Sequence, residues 1–168
     1  FAVQTRRQEI ADQTQDVNKR IELRDRVRVA NKHLGDAAKD AGVQTWGLFQ
    51  DAGYRGLYGL GLRDIKKRKD LDAKDDLLDR ASRTELAANE FRITQTEDAL
   101  KREHIQGDIN AREKHRAVGR AVRKTIAELG GTMPEDLPPE PSLKKLTAGS
   151  GQKRKLKEKK KRAKESEE

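Results

Sequence analysis

The chain has 168 residues, of which 40% are charged and 33% hydrophobic, whereas about a quarter of an ordinary soluble domain is charged. This composition allows one modest hydrophobic core and leaves part of the chain outside it. No stretch approaches the roughly 20 apolar residues that cross a bilayer, so we expect no contact with the membrane interior. The absence of cysteine excludes disulfides, thiolate metal sites and cysteine nucleophiles, and it suits a cytoplasmic location.

Helices dominate the predicted fold. All four prolines lie within residues 134–141, and sustained apolar–polar alternation is absent upstream of them. We therefore predict an all-α fold, an irregular helical domain with one long N-terminal helix and a disordered basic C-terminal tail. The predicted divisions are a helical connector from an upstream domain over 1–41, a helical body over 42–131, a Pro-containing extended segment over 132–147 and the tail over 148–168.

The first predicted helix runs from about Gln4 to Ala41. Its second half carries small and apolar residues at spacings of 4-3-4-3-4, namely Leu23, Val27, Ala30, Leu34, Ala37 and Ala41. Such a seam is typical of a helix that packs along a neighbour. The first half is more polar and follows another phase through Ile10, Val17 and Ile21, so we expect it to be poorly buried.

Residues 42–61 hold four of the six aromatic residues and six glycines, which predicts a short helix and then a compact irregular segment. Within this stretch, Gly59-Leu60-Gly61 is similar to the hairpin of a helix-hairpin-helix unit, whose amides hold a backbone phosphate. The basic run at 66–69 would then supply charge. We favour the simpler interpretation that the glycines allow tight turns beneath the aromatic residues. Short helices are predicted over 62–69 and 75–80.

A capping-box sequence at Ser82 and Glu85 predicts a helix that continues to about residue 104. Its expected buried residues are Leu86, Ile93 and Leu100, spaced seven apart, with Phe91 beside them. The polar residues next to this seam are Asn89, Arg92, Gln95 and Thr96. Two roles fit these four residues, a hydrogen-bonded lock between helices, which is the commoner, and a partner-docking face.

The last helix is predicted over 109–129 and ends at Gly130 and Gly131. The expected buried face comprises His115, Val118, Val122, Thr125 and Leu129. A basic stripe comprises Arg112, Arg116, Arg120 and Arg123. A solvated surface is the ordinary interpretation of such a stripe, and contact with nucleic-acid phosphates is the functional one.

Catalytic machinery is not recognisable in the sequence. The three histidines, His33, His104 and His115, lack the i, i+4 spacing of a helical metal site. The acidic cluster at 70–79 lacks the glycine and terminal glutamate of a calcium loop, and no nucleophile elbow or Walker loop occurs. We therefore expect a non-enzymatic protein without metal or cofactor, and a nuclease is the least favoured alternative.

The net charge of +9 is concentrated at the C-terminus, because the chain from residue 144 onward carries +7. Nine cations crowd into twelve residues: Lys153, Arg154, Lys155, Lys157, Lys159, Lys160, Lys161, Arg162 and Lys164. Like charges at this density oppose folding and attract polyanions, so we predict a disordered tail that binds DNA without sequence preference. A solvated tail that only aids solubility is the alternative.

Several runs of the sequence resemble the C-terminal region of the bacterial DNA-damage-inducible protein D family. They are GYRGLY at 53–58, TELAANEFRITQT at 84–96, HRAVG at 115–119 and ELGGTMPEDLP at 128–138. The opening run FAVQTRRQE at 1–9 resembles the exit from the Bro-N-type domain that precedes this region in the family. The runs occur in the family's order, and the similarity covers roughly residues 1–146. The basic tail lies outside it.

The resemblance implies a non-enzymatic protein of the SOS response that acts on the RecA recombinase filament and restrains strand exchange. It also implies a Bro-N-type domain upstream and a cytoplasmic protein that joins the nucleoid when bound to DNA. The alternative is a phage-type antirepressor or transcriptional regulator, in which the seam of the first helix forms a homo-oligomer. Sedimentation of residues 1–143 separates these hypotheses, because a stable dimer favours the regulator and a monomer that binds RecA filaments favours the first.

Ending the chain at Ser150 is expected to remove most of the salt dependence of DNA binding. If the run Lys153–Lys164 contacts phosphates, four to six contacts give a log–log salt slope of roughly −3 to −5 on duplex DNA, since each contributes about −0.9. Anisotropy titrations at several salt concentrations measure this slope. An unchanged slope in the truncated protein would assign the contacts to the arginine stripe or to residues 66–69.

Overall fold

The computed structural model describes residues 1–149, and every regular element in that range is helical. The α-helices are α1 Ala2–Asp40, α2 Trp46–Tyr58, α3 Leu62–Arg68, α4 Arg83–Arg102 and α5 Asp108–Glu128. Two 3₁₀ turns, Leu77–Arg80 and Pro134–Asp136, and a helical segment over 143–149 accompany them. The predicted all-α fold with a long first helix is confirmed.

Residues 150–168, and with them the nine tail cations from Lys153 to Lys164, lie outside the described residues. The tail's disorder and its DNA contacts therefore stay predictions. No helix between residues 1 and 149 is both long and apolar enough to cross a membrane.

Two pairs of consecutive helices, α1–α2 and α4–α5, lie side by side. Helix α1 runs parallel to α4, since Arg26 bonds Glu90 near the middle of both helices and the end of α1 meets the start of α5. At that end the Gly107 N–H donates to the Ala41 carbonyl over 2.8 Å. Helices α2 and α5 also run parallel and pack against each other. The turn between α1 and α2 therefore lies against the turn between α4 and α5.

The seam predicted on α1 is covered by α4 of the same chain. Val27, Leu34 and Ala37 are buried in one cluster with Leu86 and Ile93 of α4, while residues 2–15 of α1 are exposed. The poorly buried first half is thus confirmed. The seam is occupied within the monomer, so it is not a free surface for self-association.

Helix α2 differs from the prediction of a short helix and an irregular segment, because it continues through Gly53 and Gly56 to Tyr58. These glycines allow close helix contact rather than a turn. A Cβ on Gly119 of α5 would lie 2.8 Å from the Gly53 carbonyl oxygen and from the Leu57 nitrogen. Side chains larger than hydrogen would therefore push α2 and α5 apart. Only Gly59, at φ +71°, serves as a turn at the end of α2.

Helix α4 begins as predicted, with Ser82 Oγ accepting a hydrogen bond from the Glu85 N–H over 3.3 Å. The predicted reciprocal bond, from the Ser82 N–H to the Glu85 carboxylate, is wrong. That carboxylate points into the interior and accepts from Tyr58 and Lys69. The burial of Phe91 is also wrong, since its side chain is 54% exposed. Two positions from Ile93 it lies about 200° around the helix, away from the seam.

Helix α5 ends as predicted, but its buried face is narrower. The Gly131 N–H donates to the Ile126 carbonyl, and Gly130 has φ +72°. Thr125 and Leu129 are exposed, which corrects the prediction of their burial. The burial of His115 and Val122 is confirmed, and Val118 is half-buried. Ala111 and Gly119 complete the buried stripe, whose small residues allow the close contact with α2.

The segment after α5 returns across the body and is held by polar contacts. Glu140 and Arg80 exchange hydrogen bonds through the Glu140 N–H and the Arg80 guanidinium. The Asp79 carboxylate accepts from the Ser142 hydroxyl at 2.5 Å and from the Lys144 N–H at 3.0 Å. Asp79 therefore caps the helical segment that begins at residue 143 and fixes where the chain leaves the body.

Replacing Gly119 by alanine is expected to lower the free energy of unfolding by about 1–3 kcal/mol, because the new methyl group collides with the α2 backbone. Gly47→Ala is the matched control, since nothing lies within 4 Å of its Cβ position and alanine favours a helix by about 1 kcal/mol. Urea unfolding measures both variants. Equal effects of the two substitutions would contradict the close contact between α2 and α5.

Candidate functional site

The polar residues singled out on α4 lie at the centre of a buried hydrogen-bond network. Glu85, Asn89, Arg92 and Thr96 follow one another at spacings of 4-3-4 and are at most 3% exposed. They share the face of α4 that is turned to α2 and α5, while Leu86, Ile93 and Leu100 occupy the face turned to α1. Gln95 is exposed and takes no part in the network.

At one end of the network a carboxylate lies between an ammonium group and a phenol. Lys69 Nζ is 3.2 Å from Glu85 Oε2, and the Tyr58 hydroxyl donates to Glu85 Oε1 over 2.6 Å. Burial raises the pKa of Glu85, while the bonds from Tyr58 and Lys69 act in the opposite direction. Burial and the nearby carboxylate raise the pKa of Tyr58, so its phenol stays a donor. Lys69 also donates to the Leu137 carbonyl and so holds the returning segment.

Asn89 connects this end to Arg92. Its Nδ2 donates to the Tyr58 hydroxyl at 2.9 Å and to the Glu85 carbonyl at 3.0 Å, while its Oδ1 accepts from Arg92 Nη2 at 2.9 Å. The Thr96 hydroxyl donates to the Arg92 carbonyl over 2.7 Å. Asn89 thus uses both ends of its amide, which is the requirement for burying it.

Arg92 reaches across to His115 on α5. Its Nη1 contacts His115 Nε2, and His115 Nδ1 lies 2.8 Å from the Phe49 carbonyl oxygen of α2. Because the Phe49 carbonyl can only accept and the Arg92 guanidinium can only donate, the histidine carries its proton on Nδ1 and accepts at Nε2. Burial, and then the charge of Arg92, lower the pKa of His115 well below its ordinary value. The imidazole is therefore neutral.

The guanidinium of Arg92 also lies over the Tyr54 ring, with Cζ 5.1 Å from the ring centre. Burial lowers the pKa of Arg92, and the ring supplies a favourable cation–π contact. Gly53 makes room for this arrangement, because a Cβ there would collide with both Arg92 and His115. A glycine in the middle of α2 is thereby required by the polar network and not by a turn.

The network is a lock that joins α2, α4, α5 and the returning segment, which is the commoner of the two predicted roles. Asn89, Arg92 and Thr96 are enclosed, so a partner cannot reach them without separating the helices. Sequence reasoning missed Tyr58, Lys69, Glu85 and His115 as members. A signal was present for Glu85, which continues the Asn89 face of the helix four residues earlier, but none marked the residues on other elements.

The predicted arginine stripe divides into two pairs. Arg112 bonds Asp108 at 3.0 Å, and Arg123 forms two bonds to Glu135 at 2.6 and 2.7 Å. In the described part of the chain, exposed Arg116 and Arg120 make no hydrogen bond or ion pair. These two line a groove of about 770 Å³ along α5, whose other polar lining residues are His104, Gln106, Asn110, Glu113 and Lys114. Of the four stripe arginines, Arg116 and Arg120 are therefore the two without a partner in residues 1–149.

The glycine turn between α2 and α3 is already filled by the protein's own carboxylate. Asp51 Oδ1 accepts from the Leu62 N–H at 2.9 Å, and Arg55 bonds Asp51 Oδ2 at 2.7 Å. This is the position at which a helix-hairpin-helix unit would hold a phosphate. The geometry favours the simpler interpretation of Gly59-Leu60-Gly61 as a turn.

The acidic cluster at 70–79 has structural partners. Asp76 accepts from the Leu78 N–H, where it caps the first 3₁₀ turn, and bonds Arg24 of α1 at 2.5 Å. Asp75 bonds Arg80 at 3.5 Å. Within residues 1–149, no three side chains of the metal-binding types converge as a metal site requires.

Replacing Asn89 by alanine is expected to impair folding before it impairs any recognition. The substitution leaves the buried Arg92 Nη2 without its partner, at about 1–3 kcal/mol, and it removes the Nδ2 donor from the Tyr58 hydroxyl, which still bonds Glu85. Gln95→Ala is the control, because an exposed side chain on the same helix usually changes stability by less than about 0.5 kcal/mol. Unchanged melting of the Asn89 variant, together with lost partner binding, would instead identify a docking face.

Acid is expected to destabilise the protein through His115. The unfolded histidine takes up a proton below about pH 6.5, whereas the folded one does not, so the free energy of unfolding falls by about 1.4 kcal/mol for each pH unit below that value. His115→Gln should remove this one-proton dependence between pH 7 and pH 5. His33→Gln, at an exposed position, should keep it. The prediction fails if both variants show the slope of the parent protein in urea titrations.

Comparison with known proteins agrees with the resemblance seen in the sequence. Residues 14–146 match the family model described as the DinD C-terminal domain. The chain is 49% identical over 156 residues to the DNA damage-inducible protein D of Escherichia coli. That alignment covers 87% of this chain and 57% of the E. coli protein, so the chain spans little more than half of that relative. The chain belongs to the DinD C-terminal domain family.

Proposed function

We propose that this domain is a non-enzymatic component of the DNA-damage response that binds the RecA recombinase filament and restrains strand exchange. The name of the E. coli relative supports a role after DNA damage. The filament as partner, and strand exchange as the regulated step, rest on the resemblance to the family.

The observation that carries the non-enzymatic part is the enclosure of the polar network. The groups whose environment shifts their pKa most, His115 and Tyr58, lie between helices and bond to other side chains or to the backbone. Shifted groups of this kind can mark an active site when they face a cleft. Here they face other buried groups of the domain, which is therefore best suited to act through its outer surface.

On that surface, Arg116 and Arg120 favour contact with DNA phosphates. They lie one helical turn apart, are exposed and have no partner in the described residues. A guanidinium in this state can bond two phosphate oxygens without breaking an internal ion pair, whereas Arg112 and Arg123 would have to give one up. The basic tail would add sequence-independent attraction.

The antirepressor alternative receives less support. It requires a self-association surface, and the α1 seam on which it depends is packed against α4. A second copy could reach only the exposed first half of α1 and the outer face of its second half, where Val29 is exposed. A stable dimer in sedimentation, without an effect on RecA, would favour this alternative.

A RecA strand-exchange assay with the full chain tests the proposal. The parent protein should slow exchange, and Arg116→Gln with Arg120→Gln should weaken this effect and reduce the salt slope of binding to filaments on single-stranded DNA by roughly 1.4, about 0.7 for each lost contact. Lys19→Gln with Lys32→Gln is the matched control, because both lysines are exposed on α1 and the charge change is equal. An unimpeded exchange reaction at saturating protein would contradict the proposal.

A further inference from the structure

A groove of about 550 Å³ lies between α3 and the loop that follows it. It is lined by Leu62, Arg63, Lys66, Lys67, Leu71 and Ala73. Leu62 and Leu71 pack on the core from beneath and leave part of their surface in the groove, which gives it an apolar floor. The Leu71 N–H donates to the Lys66 carbonyl at 2.8 Å, and Lys66 Nζ donates to the Ala73 carbonyl at 3.0 Å. These two bonds fix the loop against the helix, so the groove is preformed.

The five cations from Arg63 to Lys69 differ in whether another side chain pairs with them. Arg68 bonds Asp136 at 2.6 Å, and Lys69 enters the buried network. The other three cations, Arg63, Lys66 and Lys67, all line the groove. Arg63 and Lys67 are exposed and have no hydrogen bond or ion pair among residues 1–149. Like charges one turn apart disfavour a helix, so folding alone does not explain this pair.

Among residues 1–149, no acidic side chain lines the groove. The nearest acids in sequence, Asp64, Asp70 and Asp72, do not line it. The groove therefore combines an aliphatic floor with a rim that carries only positive charge. Apolar and electrostatic complementarity therefore favour a ligand that carries an apolar group between negative charges.

We propose that this groove docks an acidic peptide segment of a partner protein, with one aliphatic side chain on Leu62 and Leu71 and carboxylates on Arg63 and Lys67. A peptide fits better than single-stranded nucleic acid, because the lining offers no aromatic ring on which a base could stack. The proposal goes beyond the proposed function, since it names a surface and the chemistry of its ligand. It holds whether or not the partner is the RecA filament.

Amide NMR of the isotope-labelled full chain, titrated with the acetylated peptide Asp-Glu-Asp-Leu-Glu-Asp, tests the proposal. Resonances of residues 62–73 should shift with a common dissociation constant. Replacing the peptide's leucine by alanine should weaken binding about tenfold, because the apolar anchor is lost. Residue-by-residue mapping separates this binding from general attraction of the peptide to the basic tail.

Charge reversal supplies the matched comparison. Arg63→Glu with Lys67→Glu should weaken binding at residues 62–73 about tenfold, since two rim charges are reversed. Lys19→Glu with Lys32→Glu changes the net charge equally and should leave binding unchanged. Ala73→Asp, at an exposed position in the groove, should also weaken binding while the rest of the spectrum stays in place.

Three results would overturn the proposal. One is the absence of shifts at residues 62–73 at millimolar peptide, and another is equal binding of the leucine and alanine peptides. The third is a hexathymidine strand that shifts the same amides with equal or higher affinity, which would identify the groove as a nucleic-acid site. Each of these outcomes leaves the strand-exchange result unaffected, so the two proposals fail separately.

Discussion

The fold depends on burying the guanidinium of Arg92 without a carboxylate. Within the described residues Arg92 forms no ion pair, and its charge is stabilised by Asn89, neutral His115 and the Tyr54 ring. Buried charges are usually paired with an opposite charge, because an unpaired one loses its hydration without compensation. Every neighbour is therefore restricted: His115 must stay neutral, Asn89 must turn its oxygen to Arg92, and position 53 must lack a side chain. Substituting any of these groups changes the environment of one charge.

This restriction extends to the surfaces that the domain presents. Because position 53 is glycine, α2 can approach α5 until Gly119 meets its backbone, and that contact fixes which side of α5 faces outward. Arg116 and Arg120 lie on the outer side as a result, while Arg123 turns inward to Glu135. At the other end of the network, Lys69 ties the end of α3 to Glu85, which positions the groove beside α3. The buried network thus determines where the exposed cations without ion-pair partners lie.

Much of the fold could be predicted from the sequence wherever one periodic pattern faced one neighbour. The α1 seam, the Ser82 cap and the Leu86 seam of α4 are examples. The prediction was wrong where one residue contacts two different parts of the fold. Glu85 lies in the first turn of α4, where its N–H bonds Ser82, but its carboxylate bonds Tyr58 in the interior. The capping box that the sequence predicts is therefore only half formed. Helix α2 was underestimated because glycine disfavours helices locally, whereas close packing across α5 requires it here. The site was predicted in part, since the α4 face was visible as a pattern, but His115, Tyr58 and Lys69 join it only through the fold. The division of the arginine stripe likewise depends on Glu135, which is distant from most of the stripe in sequence.

The most direct test of this account is the protonation state of His115, observed by nitrogen-15 NMR of the imidazole across a pH titration of the folded protein. The account predicts one neutral tautomer, with the proton on Nδ1 and a bare Nε2, that persists well below the ordinary histidine pKa of about 6.5 until the protein unfolds. Exposed His33 serves as the internal reference within the same spectra. A His115 that titrates near pH 6.5 in the folded state, or that carries its proton on Nε2, would contradict the account, because Arg92 would then face a donor instead of an acceptor.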